Sequence, residues 1–455
     1  MHLSFDRGTL LLRDCAPPQI PTALTSFAWD PRVGAFRAPA HHYQRIVAAL
    51  RAGQHRGRDL VACRTAPPIE ITQPPLRTYQ ALALDCWDIA SRRGLVVLPT
   101  GAGKTHVALA AMARVGVATL VLVPTLALLG QWIDRIREFH DGPIGVVGGG
   151  RHELQPITAC TFESALRHAD AWGDRFGLLV VDEAHHFAAG VRTEALEMCA
   201  APARLGLTAT PPHDAEGIAR LHDLIGPVTC EWRTSDLTGR HLAALERVIL
   251  RVDLSAQERE GYLGGHEPFA LARRTFLRAH PGAPWAELVR ALAQGPEGRS
   301  LLAGHRRAMA IVGGACAKLE AARRLLARHA EDRVLLFTAD NEAAYRLSRE
   351  LLVPAITCDI GPAERASVFG RFREGRVRAI VSSRVMNEGI DVPEARVAIV
   401  LGGRLGAREH VQRVGRILRP ARGKTALLYE VIAADTFEDR QLVRRGHALA
   451  GRRAS

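Results

Sequence analysis

Lysine is nearly missing from this chain. Three residues, Lys104, Lys318 and Lys424, stand against 60 lysines and arginines together in 455 residues. The residues two places before them are Ala102, Cys316 and Arg422, so a D/E-x-K nuclease site is absent. Paired cysteine is missing too: the eight cysteines (15, 63, 86, 160, 199, 230, 316, 358) are scattered singly, with no C-x-x-C. That excludes a zinc ribbon or iron–sulfur cluster and fits buried thiols in a reducing compartment. No uninterrupted apolar run approaches the roughly 18–20 residues of a membrane span, and Asp6 and Arg7 bring charge too early for a secretory signal. A soluble, cytoplasmic chain with no membrane partner is expected.

What is abundant is positive charge. The formal net charge is +13, although the hydrophobic content of 47% and charged content of 24% are ordinary for a globular protein. The length allows two or three domains, and the excess of arginine points to a polyanionic partner.

With arginine as the default cation, a lysine needs a reason. Lys104 has one. It closes Leu98-Pro-Thr-Gly-Ala-Gly-Lys-Thr105, which follows the apolar run 94–98 and leads into the helical pattern 107–112. Strand, glycine-containing loop and helix start together form a phosphate cradle, with backbone N–H groups and the positive helix end aimed at the anion. Pro99, Thr100, Gly101, Ala102 and Gly103 line it. Lys104 would reach the β- and γ-phosphates, and the Thr105 hydroxyl would bind Mg²⁺. Leu98 stands where the strict pattern has its first glycine.

Residues 1–70 read as a small separate unit. A hairpin over Met1–Asp14 turns at Arg7-Gly8, prolines follow, and a helix runs over Tyr43–Leu50. The adjacent His41 and His42 are expected on different faces, as solvated or capping residues rather than metal ligands. From residue 71 to 230, strand candidates 94–98, 118–123, 157–160, 177–181 and 203–208 alternate with helices such as 126–139. Near-continuous apolar strands of this kind belong to a doubly wound parallel sheet, with its ligand at the strand C-termini. A second alternation starts near 332: strands 334–338, 377–381, 397–400 and 425–432, and helices 341–352, 363–373 and 408–418. Before it, within a unit taken as 231–455, lies an arginine-rich helical insertion at about 253–310. Arg422-Gly-Lys-Thr425 reads as a basic turn, because Leu418 replaces the required glycine and a strand follows. The tail beyond Phe437 reads as a basic helix.

Val180-Val-Asp-Glu-Ala-His-His186 ends strand 177–181. Asp182 is placed to hold Mg²⁺ through water, and Glu183 to polarise the attacking water. His185 is read as a link to the neighbouring strand, where Thr208 and Thr210 of Leu207-Thr-Ala-Thr-Pro211 can report hydrolysis to the rest of the lobe. Gln412-Arg-Val-Gly-Arg-Ile-Leu-Arg419 sets Arg413, Arg416 and Arg419 on one helix face, suited to act as arginine fingers on the γ-phosphate.

Arg77-Thr-Tyr-Gln80, the 98–105 loop, Val123-Pro-Thr125, Thr161-Phe-Glu-Ser164, Asp182 to His185, Leu207 to Pro211, Asn387-Glu-Gly-Ile-Asp-Val-Pro393 and Gln412 to Arg419 occur in that order. The series resembles superfamily-two helicases. Ile380-Val-Ser-Ser and Ile417-Leu-Arg-Pro420 further resemble the XPB branch, in its archaeal and bacterial members. The resemblance implies two tandem RecA-like doubly wound α/β lobes, a helical thumb at 253–310 and an N-terminal α+β damage-recognition domain. It implies ATP and Mg²⁺ as cofactors, and 3′–5′ movement on single-stranded or forked DNA in excision-type repair, with a possible nuclease partner. Gln80 and Arg77 would read the adenine, Gly389 and Asp391 would complete the nucleotide and coupling site, and Gln412 would join the arginines. Thr125, Gly149, Arg151 and Thr161 would hold the tracked strand. One departure stands out: Pro212-His-Asp-Ala-Glu216 replaces the Arg-Glu-Asp tripeptide that the family associates with duplex opening. Alternative readings are the motor of a nuclease complex and a signalling ATPase indifferent to nucleic acid.

Overall fold

Short apolar segments alternate with amphipathic ones, and those at 119–123, 178–181, 334–337 and 397–400 become strands buried along their whole length. The computed structural model describes residues 1–14, 27–52, 58–212, 214–237, 244–383, 395–402 and 425–439. They form two compact units, Met1–Arg233 and Thr234–Ser455.

The first unit holds two sheets. Strands β1 (His2–Asp6) and β2 (Thr9–Arg13) pair antiparallel. Their turn is Arg7-Gly8, both with positive φ (45° and 82°) as a tight hairpin requires. With β3 (Ala28–Asp30), β4 (Ala35–Pro39) and β5 (Arg58–Asp59) they make a sheet of order β3-β4-β2-β1-β5, backed by α1 (Tyr43–Ala52).

The larger sheet is built from β6 (Arg93–Val97), β7 (Thr119–Val123), β8 (Ile144–Gly148), β9 (Arg151–Glu153), β10 (Ile157–Thr161), β11 (Leu178–Val181), β12 (Ala203–Thr208) and β13 (Val228–Glu231). Its order is β13-β6-β12-β11-β7-β10-β8-β9, parallel except for β9. Helices α2 (Thr78–Ile89), α3 (Lys104–Val115), α4 (Leu126–Arg137), α5 (Phe162–Trp172), α6 (Glu194–Glu197) and α7 (Ala215–Leu224) connect the strands. Strands β8, β9 and β13 have no counterpart in the sequence reading; glycines flank or interrupt β8, and β9 is wholly exposed.

The N-terminal sheet shares its core with the larger one. Ala200 packs in the cluster of Leu3, Leu10, Leu12, Phe36 and Ile46. A Cβ on Gly8 would lie 2.4 Å from the Met198 side chain, so that glycine is required by close approach as well as by its φ. The histidine expectation is corrected here. A 3-10 turn, Ala40–His42, leads into α1, and both rings reach the Asp223 carboxylate on α7, His41 Nε2 at 3.0 Å and His42 Nε2 at 3.6 Å. Arg45 Nη1 donates to the same carboxylate at 2.9 Å. The three potential ligands do converge, but a guanidinium already neutralises their only carboxylate, and the group serves as a latch between the two sheets.

Among the described residues the second unit forms a parallel sheet of order β14-β19-β18-β15-β17-β16. Its strands are β14 (Ala244–Val252), β15 (Val334–Phe337), β16 (Ala355–Ile356), β17 (Ala379–Ser382), β18 (Val397–Val400) and β19 (Thr425–Ala433). Helices Ala256–Ala279, Trp285–Ala293 and Pro296–Gly313 follow β14 and form the helical insertion. Lys318 is buried in this unit, its Nζ donating to Glu438 Oε1 and Oε2 at 2.9 and 2.7 Å. Glu438 also accepts the Ala433 N–H at 2.8 Å. Removing one partner of such a pair costs about 3–5 kcal/mol, which accounts for the second of the three lysines. Each unit contains an α/β lobe built on a parallel sheet, and the first carries the smaller, largely antiparallel sheet as well.

Candidate nucleotide and nucleic-acid site

The phosphate loop sits where β6 ends and α3 begins. Gly101 and Gly103 have φ of 84° and 78°, values that any residue with a Cβ meets with strain. Leu98, in the place of the usual first glycine, is fully buried, and its N–H donates to the Thr208 carbonyl at 3.0 Å. This position is therefore the last rung of a strand and has no need of glycine. Lys104 opens α3, with its Nζ 3.5 Å from the Leu98 carbonyl, and Thr105 follows in the first turn.

Two side chains of α2 brace the loop. Tyr79 Oη and Gln80 Nε2 both donate to the Ala102 carbonyl, at 2.7 and 2.8 Å. Gln80 Oε1 accepts the Arg77 N–H at 2.9 Å. A Cβ on Gly103 would sit 2.4 Å from Gln80 Nε2. Gln80 is 4% exposed, so in this conformation its amide serves the loop itself, and reading adenine would require it to exchange partners. Tyr79 was not singled out from sequence; its spacing next to Gln80 gives no signal beyond an aromatic on a buried helix face.

Asp182 and Glu183 stand at the end of β11. Asp182 is buried; its Oδ1 accepts the Glu183 N–H at 3.0 Å and its Oδ2 accepts the Trp132 indole N–H at 2.9 Å. Burial, then the neighbouring Glu183 charge, raises the Asp182 pKa, while the Lys104 ammonium opposes the rise. Glu183 has φ 50°, a left-handed conformation sparsely populated by residues other than glycine and held here by surrounding structure. Two adjacent carboxylates, Asp182 buried and Glu183 half-buried, supply hard oxygen donors of the kind that fit Mg²⁺. Trp132 was also missed from sequence, because nothing local marks a tryptophan on a helix as the partner of a carboxylate fifty residues away.

His185 is buried, with its Nδ1 3.0 Å from Thr208 Oγ1 and 3.3 Å from the Glu183 carboxylate. Thr208 Oγ1 in turn accepts the Thr210 N–H at 3.1 Å. The four residues thus form one connected group at the ends of β11 and β12.

Next along the sheet, Thr125 caps α4 by accepting the Leu128 N–H at 3.3 Å, and Thr161 caps α5 by accepting the Ser164 N–H at 3.3 Å. A Cβ on Gly148 would lie 3.0 Å from Thr161 and 3.1 Å from Leu129, and one on Gly149 would lie 3.2 Å from Leu126. Thr125, Gly149 and Thr161 are therefore brought together around the first turn of α4. Arg151, exposed on β9, pairs with Glu153 at 3.2 Å. In the departing segment, Asp214 caps α7 through the Gly217 N–H at 2.6 Å and Glu216 pairs with Arg220. Gly389, Asp391, Gln412, Arg413, Arg416 and Arg419 lie outside the described residues, as does the basic tail. Among the described residues no helix is long and apolar enough to cross a membrane.

Solved structures match this architecture. The Hef helicase domain of Pyrococcus furiosus superposes with a TM-score of 0.54 at 19% identity, over 81% of this chain and 97% of that one. Dbp5 of S. cerevisiae, bound to RNA and ADP BeF3, gives 0.58 at 15% identity, over 90% and 91%. The fold is that of the two-lobe helicases. Three family models match the sequence: Xeroderma pigmentosum group B helicase damage recognition domain at 3–61, Type III restriction enzyme, res subunit at 73–213, and Helicase conserved C-terminal domain at 317–421. The chain is 34% identical over 448 residues to DNA 3'-5' translocase XPB2 of Sulfurisphaera tokodaii, covering 98% of this chain and 99% of that one. It is 32% identical over 403 residues to DNA 3'-5' helicase XPB of Mycobacterium tuberculosis, covering 85% of this chain and 66% of the relative. This chain belongs to the XPB family of superfamily-two helicases and is an enzyme of that class.

Proposed function

We propose that this chain is an ATP-driven motor that moves 3′ to 5′ on DNA in repair, hydrolysing ATP between its two lobes. The observation that carries the reading is the single edge of the parallel sheet where the 98–105 loop, Asp182, Glu183 and the His185–Thr208 pair meet. Lys104 and the loop N–H groups would hold the phosphates; Thr105, and Asp182 through water, would hold Mg²⁺, which when bound would neutralise charge developing on the phosphoryl oxygens. Glu183 orients the attacking water. Arg416 and Arg419, with Arg413 and Gln412, come from the second lobe to the γ-phosphate, and Gly389 and Asp391 complete that side. The tracked strand runs over Thr125, Gly149, Arg151 and Thr161; the approach of Thr125 at the start of α4, Gly149 after β8 and Thr161 at the end of β10 supports a common phosphate path.

Movement along DNA, rather than efficient strand separation, is favoured by Pro212-His-Asp-Ala-Glu216, whose Asp214 and Glu216 are engaged in capping and pairing α7. Cutting in such a pathway would come from a nuclease partner. The test measures ATP turnover with single-stranded DNA, duplex, forked DNA and RNA, then strand displacement on whichever stimulates. DNA-stimulated turnover with weak displacement is expected. Turnover indifferent to every nucleic acid would overturn the reading in favour of a signalling ATPase.

A further inference from the structure

Trp132 lies on the buried face of α4 with Leu129 and Ile136, at 2% exposure. Packing alone accounts for its ring, but not for the direction of its indole N–H. That group, a donor only, meets Asp182 Oδ2 at 2.9 Å in the interior, while the other carboxylate oxygen accepts the Glu183 N–H. The backbone of Asp182 is fixed as well, its N–H donating to Leu122 of β7 at 2.9 Å. With one oxygen on each donor, the carboxylate is fixed about its terminal torsion. The same helix begins at Thr125, and its first-turn leucines pack against Gly148 and Gly149.

We propose that Trp132 is a positioning residue for Asp182, and that through it α4 ties this carboxylate to the nucleic-acid contacts around Thr125. The inference rests on the site reading above. In that reading Asp182 presents an oxygen toward the Mg²⁺ of a bound nucleotide only in the orientation the indole bond holds. A change in the set of α4 when Thr125 meets a phosphate then moves the donor and with it the carboxylate.

Two variants test this. Trp132→Phe removes the N–H and part of the ring. Replacement of Trp132 by 3-benzothienylalanine exchanges the N–H for sulfur at nearly constant volume, so it keeps the packing if the phenylalanine variant melts early. The first readout is the affinity for a fluorescent ADP in Mg²⁺ and in EDTA. Both variants should match the wild type in EDTA and bind about tenfold more weakly in Mg²⁺, the lower end of what a bond orienting a metal-holding group contributes. Equal affinities in both conditions would leave Trp132 a packing residue and overturn the proposal. A wild type that binds equally with Mg²⁺ and EDTA would instead remove the metal-site reading, and the positioning role with it. The second readout is the ratio of ATP turnover with and without single-stranded DNA, expected to fall toward one in both variants. A ratio kept at the wild-type value would overturn the link through α4 to Thr125.

Discussion

His185 and Thr208 meet at 3.0 Å, imidazole Nδ1 to hydroxyl Oγ1, across the ends of two adjacent parallel strands. The Thr208 backbone carbonyl also holds Leu98, the first residue of the phosphate loop. One residue therefore touches the loop, the carboxylate segment and, through Thr210, the chain leaving β12. Thr208→Val keeps the side-chain volume and removes the hydroxyl, leaving buried groups unpaired at a cost of about 1–3 kcal/mol. ATP turnover should fall by only a few-fold, roughly 1 kcal/mol of barrier. DNA movement per ATP should fall further, because the relay and not the chemistry is cut. Measuring displaced or tracked DNA against phosphate released decides it; an unchanged ratio would remove the coupling role.

Lys104→Ala and Glu183→Gln should each lower ATP turnover by about 10²-fold or more, the scale seen when one charge-stabilising group is lost. DNA affinity should stay near the wild-type value, since the proposed contacts at Thr125, Gly149 and Thr161 do not involve either side chain. Phosphate release and a DNA-binding titration on the same preparations make the comparison. Retained turnover in either variant would show the site to be wrongly assigned.

Arg416→Ala probes the sequence reading of the 412–419 helix. A finger that acts in the transition state should lower kcat by about 10³-fold and leave nucleotide affinity within a few-fold. Steady-state kinetics with an equilibrium nucleotide titration separate the two. Unchanged kcat would exclude the arginine from the chemistry.

His41 makes a pH prediction. Burial, opposed by its bond to Asp223, brings its folded-state pKa down to about 4, below the ordinary 6.5. As the pH falls below 6.5 the unfolded chain takes a proton that the folded chain refuses. The stabilisation is therefore complete above 6.5 and is lost as the pH falls toward 4, by about 3 kcal/mol. In a unit of this size each kcal/mol moves the melting temperature by about 2–4 °C. Melting curves from pH 7 to 4 should show that acid limb in the wild type and a flatter one in His41→Gln. Equal slopes would mean that His41 titrates normally.

Features written in contiguous residues were legible along the chain. The apolar runs at 94–98, 118–123 and 177–181, the glycine–lysine loop between strand and helix, the Arg7-Gly8 hairpin and the carboxylate pair at a strand end are local patterns, and each appears within a residue of its place as an element or a turn. Local patterning carries them because backbone conformation and strand burial are decided within a few residues. Tertiary structure alone decided the rest. Trp132 on Asp182, Tyr79 on Ala102, and the paired histidines on Asp223 join residues separated by 50, 23 and about 182 positions. A hydrogen bond between such residues has no signature in either segment. The Trp132 bond exists because the strand order sets β7, which leads into α4, beside β11, which ends at Asp182; the other two exist because α2 packs beside the loop after β6 and α7 packs beside the turn before α1.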